Sequence, residues 1–267
     1  MNSCIILILI FIMQIDINGV RTNYQHIGKH GPILVLLHGW GGDWQTWHPV
    51  IVELSKDFQL IIPDLPGFGK TANPEQVWNI PQFNAWLSEF ISQTVGTKKF
   101  ILLGHSFGGQ IAAAYAAAPQ PINLKHLILV DAAGLPDELS AAKKTQQLIF
   151  GLIPQPLKYL ISNKFKKKIL ELIGSSTDHL ESNYYQRQVL RQVTRYHLQN
   201  ELVKIKTPTT LIWGKNDDAT PLPQGEKMAN LIEQANLEIF ENSGHFPFID
   251  ETIKFINIVH RQAKNAK

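Results

Sequence analysis

The chain has 267 residues, of which 44% are hydrophobic and 18% charged, with a formal net charge of +3. A polypeptide of this length forms one large domain or two small ones and buries roughly three quarters of its unfolded surface, and its 13 Phe and 6 Trp exclude a disordered polypeptide. Cys4 is the only cysteine, which excludes an intrachain disulfide and a cysteine-based zinc site, and mixing 25 basic with 22 acidic residues leaves no basic stripe, so no nucleic-acid partner is expected.

Residues 4–13 form an unbroken apolar run. It is shorter than the roughly 20 residues that cross a bilayer, no Lys or Arg precedes it, and no Ala-x-Ala cleavage site follows. Residues 1–14 therefore read as an apolar N-terminal extension, whether buried, loosely attached, a secretion or membrane signal, or the product of a wrongly assigned start codon. Its Ile content also suits a strand. A reducing cytoplasm is the expected location, with secretion or membrane attachment through residues 4–13 as the alternative; membrane contact is expected only there.

From Ile15 to Tyr24 alternating residues flank Asn18-Gly19, a pair that tolerates the positive φ of a tight hairpin turn. Short apolar runs follow at Ile33–Leu37, Leu60–Ile62, Phe100–Leu103, Leu127–Val130, Thr210–Trp213 and Leu237–Phe240, and read as strands buried on both faces. Helical patterns lie at Gln82–Thr94, Phe107–Ala118, Leu222–Glu233 and Glu251–Gln262. This alternation predicts an α/β fold, a mainly parallel sheet with helices on both faces. Between Gly134 and Asn200 no strand-like run occurs, and ten basic residues face five acidic ones. The segment reads as a helical insertion, a lid over the core, with Lys164, Lys166, Lys167 and Lys168 on a solvated helix face or touching an anionic substrate, membrane or partner. The expected organisation is an extension over 1–14, a core over 15–133 and 201–267, and a cap over 134–200.

Gly104-His105-Ser106-Phe107-Gly108 is a G-x-S-x-G element between a predicted strand and a predicted helix. Such a sharp turn projects the serine hydroxyl above the sheet, beside the N–H groups of a helix start. A hydroxyl is a weak nucleophile, so it needs a base and oxyanion donors. His38-Gly39-Trp40-Gly41-Gly42 follows one strand, Gly214-Lys215-Asn216-Asp217-Asp218 another, and Glu241-Asn242-Ser243-Gly244-His245 a third. In a parallel sheet these ends share the rim where ligands bind.

With these motifs the chain resembles the α/β-hydrolase-fold serine hydrolases, over residues 15 to about 262. Pro63-Asp64-Leu65-Pro66-Gly67-Phe68-Gly69 is similar to the family's loop after an early strand, Trp213 to Asp217 with Pro221 to its acid loop, and Ser243-Gly244-His245-Phe246-Pro247 to its histidine loop. The resemblance implies a nucleophile at Ser106, a general base then acid at His245, and an orienting carboxylate at Asp217. It places the oxyanion hole at the backbone N–H groups of Trp40 and Phe107. It implies a cofactor-free, metal-free hydrolase acting on a small molecule with an ester or related acyl bond; no metal-ligand spacing occurs among the histidines. C–C hydrolysis of a diketone-like substrate, or ligand binding without turnover, is the alternative.

Several residues have rival readings. Asp218 and Asp131 are alternative triad acids. Asp64 and His38 read as loop supports, and His105 is expected to lean either into the sheet or toward the pocket. Trp40, Trp44 and Trp47 read as core packing or as pocket wall. Oligomeric state is left open.

Overall fold

The computed structural model describes residues 11–119, 123–136 and 184–265. Eight strands form one sheet: β1 (Phe11–Ile17), β2 (Val20–Ile27), β3 (Ile33–Leu37), β4 (Gln59–Pro63), β5 (Phe100–His105), β6 (Leu124–Val130), β7 (Thr209–Gly214) and β8 (Ala235–Phe240). Their order is β1-β2-β4-β3-β5-β6-β7-β8. β1 and β2 form the predicted hairpin, with Asn18 and Gly19 both at positive φ. β2 runs antiparallel to β4, and every pairing from β4 to β8 is parallel. The expected α/β architecture is present. The first strand begins at Phe11, so residues 11–14, assigned above to the extension, are part of the sheet.

Period-2 alternation sends successive strand residues to opposite faces, and both faces are covered. Leu34, Leu36, Leu60, Ile62, Ile101 and Leu103 pack with α1 (His48–Leu54) and a long C-terminal helix. Ile33, Val35, Leu37, Phe100 and Leu102 pack with α2 (Ile80–Thr94) and α3 (Phe107–Ala116) on the other face. α2 starts at a capping box in which the Asn79 side chain accepts from Gln82 N and the Gln82 side chain accepts from Asn79 N.

Later helices are α4 (Tyr184–Val193), α5 (Gln199–Leu202), α6 (Leu222–Leu231), α7 (Pro247–Asp250) and α8 (Thr252–Asn265). The helix predicted from Glu251 thus begins at Thr252, after a separate short turn of helix. Most of the expected cap, including Lys164 to Lys168, lies outside the described residues. Its C-terminal end is described and is anchored twice. The Gln110 side-chain amide on α3 donates to Val193 O (3.0 Å) and Tyr196 O (2.9 Å), and Gln186 donates to Gly67 O (2.9 Å). No helix among the described residues is long and apolar enough to cross a membrane.

Candidate active site

Because β3, β5, β6, β7 and β8 are parallel, the segments that leave their C-terminal ends converge on one rim. Ser106 connects β5 to α3 with φ 52° and ψ −114°, a backbone geometry that costs a non-glycine residue energy and persists only where the surroundings hold it. Its N–H donates to Val130 O (3.0 Å), and its carbonyl accepts from Gln110 N and Ala133 N (both 3.0 Å). Close packing explains the neighbouring glycines. A Cβ on Gly104 would lie 2.4 Å from Gly108 O, and one on Gly39 would lie 3.3 Å from Ser106 Cβ.

The second contact brings the Gly39–Trp40 loop against the elbow. That loop is held from beneath by His38, which is fully buried, donates from Nδ1 to Gly39 O (2.8 Å) and accepts Leu65 N–H at Nε2 (2.9 Å). Burial lowers its pKa, in keeping with this neutral tautomer. The Asp64 carboxylate accepts from Trp44 N, Lys70 N and the Asn23 side chain at 2.7–2.9 Å. His38 and Asp64 are therefore loop supports, as read from the sequence. Of the tryptophans, Trp47 is core, packed on Phe248 (4.6 Å between centroids), and Trp44 stacks edgewise on His48. Trp40 packs edgewise on Phe68 (4.9 Å) and Phe107 (5.3 Å), so the two residues expected to offer oxyanion N–H groups touch through their rings.

Across the rim, His245 Nδ1–H donates to Asp217 Oδ2 at 2.7 Å. Asp217 is wholly enclosed, whereas the His245 side chain is 19% exposed. The other Asp217 oxygen accepts Ala219 N (2.7 Å) and Thr220 N (3.0 Å), and Thr220 Oγ1 donates to Oδ2 (2.7 Å). Burial by itself would raise the pKa of this carboxyl, but the bonds from His245 and Thr220 outweigh it and the net shift is downward. Asp217 is thus the ionised partner of His245, with Nε2 as the imidazole nitrogen left for chemistry. Asp218 is exposed and outside this arrangement.

Two features escaped the sequence reading or were left open by it. Thr220, with no motif to mark it, braces Asp217. His105 leans toward the histidine loop: its Nε2–H donates to the backbone carbonyl of His245 (2.7 Å), and its ring lies 4.8 Å from that of His245. Burial, followed by the influence of His245, brings its pKa down to about 3, so it is a neutral structural imidazole. Asp131, the other candidate acid, is buried at the end of β6 and accepts Gly214 N–H at Oδ1 (2.9 Å). Among the described residues no cluster of three or more His, Cys, Asp or Glu side chains has metal-binding geometry.

A family model described as alpha/beta hydrolase fold matches residues 32–183 and 161–252, and the chain belongs to that family. It is a hydrolase of the α/β-hydrolase class. Human monoacylglycerol lipase ABHD6 is 27% identical, with 89% of this chain and 79% of the relative aligned. An uncharacterised Mycobacterium tuberculosis protein, Rv2715, is 26% identical over 92% of this chain and 79% of its own. Among solved structures, a bacterial membrane phospholipase A superposes with a TM-score of 0.76 at 24% identity, covering 96% of this chain and 86% of that one. A serine hydrolase involved in carbazole degradation superposes at 0.73 with 22% identity, covering 96% and 99%. At these identities both structures speak to fold alone.

Proposed function

We propose that the protein is a serine hydrolase that cleaves a carboxylic ester or related acyl bond of a small molecule through an acyl-enzyme on Ser106. The observation that carries this is the 2.7 Å His245–Asp217 pair on the same rim as a serine held at φ 52°. In this reading His245 Nε2 takes the Ser106 proton as Oγ attacks the substrate carbonyl. Asp217 holds the imidazole in the tautomer with Nδ1–H and stabilises the imidazolium that forms. The backbone N–H groups of Trp40 and Phe107 receive the oxyanion. Collapse of the tetrahedral species expels the alcohol, which leaves with the proton from His245. Water deprotonated by His245 then attacks the acyl carbonyl, releasing the acid and restoring Ser106.

The name of the human relative, a monoacylglycerol lipase, supports an ester substrate with a fatty acyl group. A cap over residues 134–200 is part of this reading; its described C-terminal end is tied to the core through Gln110 and Gln186, which supports it. The reaction is assigned to a reducing cytoplasm, in keeping with the single Cys4; cell fractionation that recovered the protein with membranes would overturn that assignment.

The test is labelling with a fluorophosphonate, with the modified peptide identified by mass spectrometry, alongside turnover of p-nitrophenyl esters from acetate to octanoate. One label per molecule on Ser106, absent from Ser106→Ala, is expected. A folded protein that takes no label, or hydrolyses the esters equally well as Ser106→Ala, refutes the reading.

A further inference from the structure

Two buried carboxyl groups meet beneath the rim, and their hydrogen bonding is unequal. Asp217 accepts four donors: His245 Nδ1, Thr220 Oγ1 and the N–H groups of Ala219 and Thr220. Asp131 accepts one on its side chain, Gly214 N–H at Oδ1, while its buried Oδ2 has no hydrogen-bond partner. The residue is wholly enclosed and sits at φ 42°, a left-handed geometry imposed by the turn out of β6. Its backbone carbonyl lies 3.0 Å from Thr220 Oγ1, the hydroxyl that also reaches Asp217. Both residues thus grip the same short turn, Asp131 at its root on Gly214 and Asp217 at its tip.

An ionised carboxylate in a dry interior needs donors at both oxygens, whereas a protonated one needs fewer and carries its own donor. Two neighbouring carboxyl groups also resist double ionisation, and the better-solvated member takes the charge. By donor count that member is Asp217.

We propose that Asp131 folds with its carboxyl protonated and is a positioning residue for Asp217: it fixes the root of the acid turn through Gly214 and leaves Asp217 as the single charge facing His245. This rests on the catalytic reading above for its consequence, though not for the protonation itself. The charged groups that bear on Asp131 are Asp217 of the acid turn and, from α7, Asp250; His245 stands beyond Asp217. Burial first, and then the Asp217 charge, pushes the Asp131 pKa up to about 9.

The folded state then keeps a proton that the unfolded polypeptide gives up near pH 4, so Asp131 costs stability increasingly as pH rises from about 4 to about 9. Asp131→Asn removes that cost while its amide oxygen can still accept the Gly214 N–H. Thermal melts of wild type and Asp131→Asn between pH 5 and 8 are therefore expected to diverge. The variant should gain on the wild type by about 3 °C for each pH unit. A gap that stays constant or narrows as pH rises means that Asp131 is ionised, and overturns the proposal.

Ester turnover tests the positioning role. Asp131→Ala should lower kcat about tenfold with KM within about twofold, and Asp131→Asn should recover most of that loss. Equal losses in the two variants would mean that the negative charge is required, which also overturns it. If Asp131→Ala fails to fold, the melts and the activity of Asp131→Asn relative to wild type carry the test. Should Ser106 take no fluorophosphonate while the widening gap is observed, the catalytic reading falls and the protonated carboxyl stands.

Discussion

His105 Nε2 donates to the backbone carbonyl of His245 at 2.7 Å, joining the residue before the candidate nucleophile to the candidate base across 140 positions of sequence. The elbow and the histidine loop are therefore tied directly to each other, and the His105 ring also packs against Phe246 and Phe248. His105→Phe keeps the ring and removes the donor, leaving a part-buried carbonyl without that bond at a cost of about 1 kcal/mol. We expect kcat/KM for p-nitrophenyl butyrate to fall about tenfold with the melting temperature lowered by a few degrees. Unchanged kcat/KM would mean that the carbonyl bond does not position His245.

Thr220 makes a similar test possible at the acid. Its hydroxyl donates to a charged oxygen, the stronger kind of hydrogen bond, worth about 1.5–3 kcal/mol. Thr220→Val preserves shape and deletes that donor, so a fall in kcat of about tenfold is expected, with slower fluorophosphonate labelling of Ser106. Thr220→Ser should restore most of the rate. A Val variant as active as wild type would show that the two backbone donors suffice.

Buried histidines set an acid limit on stability. Burial, aided at His105 by His245, lowers the pKa of His105 to about 3, and burial lowers that of His126 to about 4. Below pH 6.5 the unfolded polypeptide binds protons that the folded protein refuses, so stability falls as pH drops from about 6.5 toward those values. Each residue costs about 2 kcal/mol at pH 5. His126 bonds Thr210 Oγ1 through Nε2 at 2.9 Å, a contact that His126→Gln can keep. The loss in melting temperature between pH 7 and pH 5 should be smaller in that variant by several degrees; an equal loss would mean that His126 titrates alike in both states.

Gln110 ties α3 to Val193 and Tyr196. Gln110→Met keeps its length and removes both bonds, leaving Val193 O and Tyr196 O without that donor. Limited proteolysis should then cut between residues 184 and 198 several times faster than in wild type, at a global stability cost of about 1–3 kcal/mol. Equal cleavage rates would show that the anchor at Gln186 holds the segment alone.

Much of this protein was legible before its fold. Apolar runs and turn residues are local properties, so the Asn18-Gly19 hairpin, the parallel strands and the helices following Ser106 and over Gln82–Thr94 follow from residue type and spacing. Ser106, Asp217 and His245 stand out as candidates because each follows a strand within a recognisable loop. Tertiary structure decided what depends on distance between remote segments: which of two adjacent aspartates faces His245, where the His105 ring points, and that β1 starts at Phe11 within a run whose strand character the sequence left among several readings. Thr220 carries no local mark at all, and Asp131 reads from the sequence only as an alternative acid after a strand. Their significance lies in hydrogen bonds to Asp217 and Gly214, and a linear pattern cannot encode which donors a buried oxygen finds once the strands are brought side by side.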